Sequence, residues 1–224
     1  MTLARAAVGM AVIAGVALGG DLKGQVVITR KLSRKTIAVS SYNLRGTAPP
    51  SSVPSATVNE FGQTVVFVEG TKGVQPLPPE TAIIEQRNSR FEPDLISIPV
   101  GSTVKFPNDD PIFHNVFSLS KARQFDLGFY PRMASRSVTF NQPGVVQVYC
   151  HIHANMYAAI VVTDSPWAEK LADDGNFTFH DMPAGRYRVV AWHKVAGAHA
   201  TEVTIPATGT ARVTIGVPIE EERN

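Results

Sequence analysis

The 224-residue chain has one cysteine, Cys150, so no disulfide can close within it. Charge is scarce as well. Asp, Glu, Lys and Arg make up 18% of the residues and the formal net charge is +2. The basic side chains are scattered, which excludes the concentrated basic face by which a protein holds nucleic acid. There is no internal repeat and no convincing amphipathic helix; the one place where a short helical turn is expected is "SPWAEKLADDG" (165–175). What the chain does have is punctuation. Seventeen glycines and 16 prolines interrupt a sequence that is 44% hydrophobic, a composition that favours many short strands over long helices. The expected fold class is all-β.

The first residues, "MTLARAAVGMAVIAGVALGG", carry one arginine and then an uncharged run of small and apolar residues. The run is short for a membrane span, and Ala17 and Gly19 are small enough for cleavage after Gly19, so residues 1–20 are expected to be a signal peptide. A membrane association follows only if this leader is kept as an anchor. Either way the rest of the chain is expected to be periplasmic or otherwise exported. Residues 21–80 hold two strand signals, "GQVVITRKL" and "QTVVFVEG", around a polar, proline-rich stretch (40–62) read as a long surface loop. Strand signals then follow closely from 81 to 164, as for a compact antiparallel sandwich or barrel. Residues 165–224 add a second cluster of three or four strands.

The residues that carry chemistry lie in "VYCHIHANMYAAIVV" (148–162). Side chains alternate along a strand, so Val146, Val148 and Cys150 share a face and the sulfur is turned toward the core at the strand's end. The chain must reverse before Tyr157–Val162 can run back. Residues 151–156 therefore form a tight loop in which Cys-x2-His-x2-Met can aim Cys150 Sγ, a His153 nitrogen and Met156 Sδ at one point. The fourth donor must come from elsewhere, and "DDPIFHNVFSLS" offers His114 at the start of another strand, followed by Asn115, placed to tune a ligand by hydrogen bonding. Two imidazoles, a thiolate and a weak thioether suit copper in its electron-transfer form. Structural zinc sites use more cysteine or histidine and no methionine.

The runs "FEPDLISIPVGSTVKFPNDDPIFHNVFSLS" and "FNQPGVVQVYCHIHANMYAAIVV" together resemble a blue copper protein of the plastocyanin type, in particular the amicyanin-like branch with its short ligand loop. The resemblance spans about residues 90–163. It implies a Greek-key cupredoxin sandwich over 81–164 with a single type 1 copper ion. His114 would be the first ligand, Cys150 the thiolate, His153 the second imidazole and Met156 the axial thioether. It also implies a non-enzymatic electron carrier whose partners are redox proteins, a donor and an acceptor that the sequence does not name. His151 has no counterpart among the family's ligands and is expected to point away. The flanking "DDGNFTFHDMPAGRYRVVAWHK" is similar to the regulatory-like β-sandwich module found beside carboxypeptidases, with "GQVVIT" and "TVVFVEG" as its early strands. His180, His193 and His199 fall in that module at no ligand spacing and are read as surface or strand residues.

Other readings of the same residues exist. A lone cysteine is most often a small core hydrophobe, and His114 or Met156 alone would be an ordinary strand-end or packing residue. A thiol nucleophile with a histidine base would want an oxyanion segment and a helix N-terminus, and neither is evident. The closest rival is a copper carrier or buffer that delivers the ion to other exported proteins, since its ligands would be identical.

Overall fold

The computed structural model describes residues 19–29, 59–71 and 73–219; most of the expected leader and most of the proline-rich loop lie outside them. The described residues form 17 strands: β1 (Gly19–Ile28), β2 (Thr64–Glu69), β3 (Thr81–Ile83), β4 (Glu85–Arg87), β5 (Arg90–Glu92), β6 (Leu95–Pro99), β7 (Thr103–Pro107), β8 (His114–Ser120), β9 (Arg123–Tyr130), β10 (Ser135–Thr139), β11 (Gly144–Tyr149), β12 (Tyr157–Thr163), β13 (Ala168–Lys170), β14 (Asn176–Pro183), β15 (Gly185–His193), β16 (Gly197–Ile205) and β17 (Thr210–Val217). The only helical element among these residues is one 3-10 turn, Phe61–Gln63. The fold is all-β, as the composition requires.

Two sandwiches result. In the first, a five-stranded sheet in the order β6-β12-β11-β8-β9 is stacked on a three-stranded sheet β10-β7-β3. Between them lie Val104 and Phe106 from one sheet and Val116, Val146, Val148 and Ile160 from the other, with Cys150 and Met156 in the same cluster. In the second, sheet β14-β1-β17 is stacked on sheet β13-β2-β15-β16 around Leu22, Val26, Val66, Phe177, Phe179 and Val189. Strand β1 lies between β14 and β17, and β2 between β13 and β15, so strands before and after the first sandwich in sequence share one core.

Glycine is required where backbones or rings close in on β1. A Cβ on Gly24 would sit 2.0 Å from Cζ of Phe177, whose ring fills that space, and one on Gly20 would sit 2.6 Å from the carbonyl oxygen of Pro206. Small residues here therefore serve a strand. β1 begins at Gly19, inside the segment that the sequence reading gives to the leader.

The structure differs from the sequence reading in two respects. The pairs β3·β7 and β6·β12 are parallel, because the chain between the partners passes through the facing sheet and returns in the same sense. The expected helical turn in 165–175 is strand β13. Trp167 and Leu171 are both buried, and a separation of four puts two side chains on one face of a strand as well as of a helix. Strand β9 is an edge strand of the five-stranded sheet, with Phe125 and Leu127 packed against the core and Arg123 and Asp126 exposed.

A third apolar cluster joins the sandwiches. Leu95, Ala159 and Val161 from β6 and β12 pack against Val65 and Trp192 from β2 and β15. Lys194, at the end of β15, extends this seam with an ion pair to Asp94 at 2.5 Å.

Candidate metal centre

Alternation along β11 places Val146 and Val148 in the core, and Cys150 follows them inward with 6% exposure. The closing rung Tyr149·Tyr157 joins β11 to β12, and residues 150–156 form the loop between them. Inside the loop the Met156 N–H donates to the His153 carbonyl at 3.0 Å. His114, the first residue of β8, is fully buried. Its Nδ1 lies 4.0 Å from Cys150 Sγ, and His153 Nδ1 lies 4.0 Å from the same sulfur. The two imidazoles meet edge-on, with centroids 4.8 Å apart. All three donor atoms fall within 4.8 Å of one another. A nitrogen and a thiolate bound to one ion at about 2.1 and 2.3 Å stand roughly 3.6–3.8 Å apart for coordination angles between tetrahedral and trigonal, and about 4.0 Å apart at an angle of about 130°. The spacing fits one ion.

The protonation of His114 is set from behind. Its Nε2 lies 2.7 Å from Asp110 Oδ2. A carboxylate only accepts, so Nε2 carries the proton and the Nδ1 lone pair is left facing the sulfur. Asp110 also accepts the backbone N–H of Asn88 at 2.7 Å and of Ser89 at 2.8 Å. Burial alone would push its carboxyl up; the Ser89 amide, the His114 ring and the Asn88 amide outweigh burial and hold it below the ordinary carboxylate value. Asn88 and Ser89 are the tip of the β4–β5 hairpin, both at φ 53°, the left-handed pair that turns two N–H groups to one side. The Asn155 side chain donates to the Ser89 carbonyl at 3.3 Å, so the same tip touches the ligand loop.

Of the four candidate ligands, His114, Cys150 and His153 have their donor atoms together. Met156 is buried at 1% exposure in the core cluster that holds Cys150. His151 turns outward: its ring stacks on Phe117 with centroids 3.9 Å apart and pairs with Asp126 at 3.5 Å. The side-chain amide of Asn115 donates to Asp126 at 2.7 Å instead of bonding a ligand. That bond, together with the stronger contribution of the Gly128 amide, holds the Asp126 carboxyl low. Sequence reasoning missed Asp110. Its signal was present as a carboxylate four residues before His114, a spacing that no helix or strand in the sequence made meaningful.

No family model matches the chain, and no curated protein matches it. Solved structures do. A copper-containing nitrite reductase from Thermus scotoductus SA-01 is 25% identical over 42% of this chain, at a TM-score of 0.36. The chain spans 25% of that enzyme's length. A purple cupredoxin from Nitrosopumilus maritimus is 24% identical over 37% of this chain and 99% of its own, at a TM-score of 0.34. A methionine-to-alanine mutant of amicyanin in its Cu(I) form is 17% identical over 44% of this chain and 98% of its own, at 0.35. Part of this chain is similar to cupredoxins. With TM-scores this low, the reading of the site rests on its own geometry.

Proposed function

We propose that this chain is an exported copper protein that passes single electrons between redox partners. One copper ion would be held by Cys150, His114 and His153, with Met156 as axial ligand. The observation that supports this reading best is the convergence of one buried sulfur and two imidazole nitrogens, each nitrogen 4.0 Å from the sulfur. Bound there, copper would supply a Cu(I)/Cu(II) couple that a thiolate and two imidazoles accommodate in both states. The chain's own part is to hold the donors still. His114 is buried and hydrogen-bonded to Asp110, Cys150 is fixed by its strand, and His153 and Met156 are joined by a loop hydrogen bond.

Electron transfer is favoured over delivery to another protein because of this bracing. A donor that must release its ion gains from being free to move, and His114 has no solvent exposure. His153 is only half-buried and offers the route outward. Ile112 and Phe113, just before His114, and Ile152, just before His153, are 43%, 57% and 51% exposed, an apolar rim on which a redox partner would dock. The second sandwich is read as a structural or docking unit, similar to the carboxypeptidase regulatory-like module, with no chemistry of its own.

The test is the visible spectrum of the purified protein given Cu(II). An intense thiolate-to-copper band that Cys150→Ser abolishes, with the fold intact, is expected. A pale complex unaffected by that substitution refutes the assignment. His153→Gly should slow exchange with a redox partner far more than substitution of His193; equal effects would remove His153 as the exit.

A further inference from the structure

We infer that Lys194, a residue of the second sandwich, positions the metal-binding loop of the first. The inference rests on the copper reading for its spectroscopic consequence only. The loop 150–156 springs from a single rung, Tyr149·Tyr157, so the placement of that rung sets where Cys150 leaves one strand and Met156 meets the other. The two rings of the rung stack on the outer face of the sheet, with centroids 5.2 Å apart and planes 21° from parallel. Lys194 closes over them from the other sandwich. Its Nζ lies 4.7 Å from the centre of the Tyr157 ring, donates to the Tyr157 carbonyl at 3.3 Å, and pairs with Asp94 at 2.5 Å. The side chain is 6% exposed.

A lysine in such a place is costly to bury, and an apolar side chain would fill the seam at less cost. What the ammonium adds is direction. An ammonium has three N–H donors, and Asp94 just before β6 and the carbonyl and ring of Tyr157 on β12 give it three partners in two separate stretches of the first sandwich. Asp94 leads into β6, whose parallel partner is β12 itself; the Ala159 N–H donates to the Asp94 carbonyl at 3.0 Å. Lys194 therefore ties the entry of β6 to the first residue of β12, directly after Met156.

The lysine is in turn fixed on its own side. Its backbone N–H donates to the Gln63 carbonyl at 2.9 Å. The residue before it, His193, is fully buried; its Nε2 faces Glu60 at 3.2 Å, and its Nδ1 accepts the N–H groups of Val195 and Ala196. The turn that launches Lys194 is thus held by a buried imidazole that sequence reading treated as a surface or strand residue. Lys194 acts on the site through Tyr157 and does not touch the donor atoms.

The experiment compares the full chain with Lys194→Met, Lys194→Arg and the control Lys170→Met. Lys170 also crosses the seam, donating to the Leu95 carbonyl at 3.4 Å, away from the loop. In the metal-free protein, amide hydrogen exchange at Met156 should be about tenfold faster in Lys194→Met, with Ile160 and Val162 changed far less. In the copper-loaded protein the same variant should shift the visible band and the reduction potential. Lys194→Arg should restore both, and Lys170→Met should leave both unchanged. Wild-type exchange at Met156 in Lys194→Met, or an equal loosening along all of β12 in both methionine variants, overturns the inference. If Lys194→Met does not fold, Asp94→Ala, at a 41% exposed side chain, removes one anchor of the ammonium and is expected to speed Met156 exchange in the same direction. Absence of an intense band in the wild type refutes the copper reading alone, because the exchange comparison still decides the role of Lys194.

Discussion

Removing the Asp110 carboxylate tests whether the histidine behind the sulfur is set by its partner or by its packing. In Asp110→Ala the Nε2–H of His114 loses its acceptor at a position with no solvent exposure. An unsatisfied buried donor costs about 1–3 kcal/mol. The amides of Asn88 and Ser89 lose the same carboxylate, but the hairpin tip is accessible and water replaces part of that, leaving about 0.5 kcal/mol each. The expected loss is about 2–4 kcal/mol. For a chain of this size that is a fall in Tm of roughly 5–15 °C. The neighbouring Asp109 serves as reference: it pairs with Arg87 at side-chain exposures of 38% and 48%, and Asp109→Ala should cost less than about 0.5 kcal/mol. Guanidinium unfolding of both variants gives the energies, and ring nitrogen shifts in NMR report the His114 tautomer. If Asp110→Ala were no less stable than Asp109→Ala and His114 kept its proton on Nε2, packing would be holding the ring and the clamp would be wrong.

The buried His193 makes stability depend on pH. Burial holds its imidazole below the ordinary 6.5, against the pull of the Glu60 charge. The unfolded chain therefore takes up its proton first on acidification, so stability is full above about pH 6.5 and declines below it, down to the folded value. The urea midpoint should fall with acid more steeply in wild type than in His193→Gln; parallel curves would remove His193 as the cause. Gly24→Ala should destabilise by about 1–3 kcal/mol in thermal melts, since the methyl would displace the Phe177 ring. Trp192→Ala should cost about 3–5 kcal/mol by opening a cavity at the seam, where it packs with Val65, Leu95 and Val161. A loss under 1 kcal/mol would mean that the seam closes up around the gap.

The ligand loop was legible in the sequence because its signals are local. Strand alternation fixes the direction of Cys150, and the short reversal to Tyr157 fixes how far His153 and Met156 can stray. His114 was legible only in combination, as the one histidine at a strand start in the same apolar section. The parts that stayed hidden act across long separations. Asp110 gains its meaning from a hairpin tip 21 and 22 residues earlier, whose N–H groups point at it only because Asn88 and Ser89 take left-handed backbone angles. Lys194 is 37 residues from Tyr157 and 100 from Asp94, and no periodicity marks a cation that crosses between sheets. Strand β13 was misread because burial at i and i+4 does not separate a strand from a helical turn.

These braces bear on function jointly. Each donor is held by a different part of the fold: Cys150 by the pleat of β11, His114 by a carboxylate fixed from the β4–β5 tip, and the base of the loop by a rung that the second sandwich covers. A displacement of one brace therefore leaves the other two in place, and the donor set resists rearrangement more than any single contact would. Fast electron exchange requires little rearrangement between oxidation states, whereas handing an ion to another protein requires donors to leave one after another. Copper retention tests this directly. Against a strong Cu(I) chelator, loss of the ion should be slow in the intact chain and faster in Asp110→Ala and Lys194→Met. Release as rapid in the intact chain as in both variants would favour the carrier.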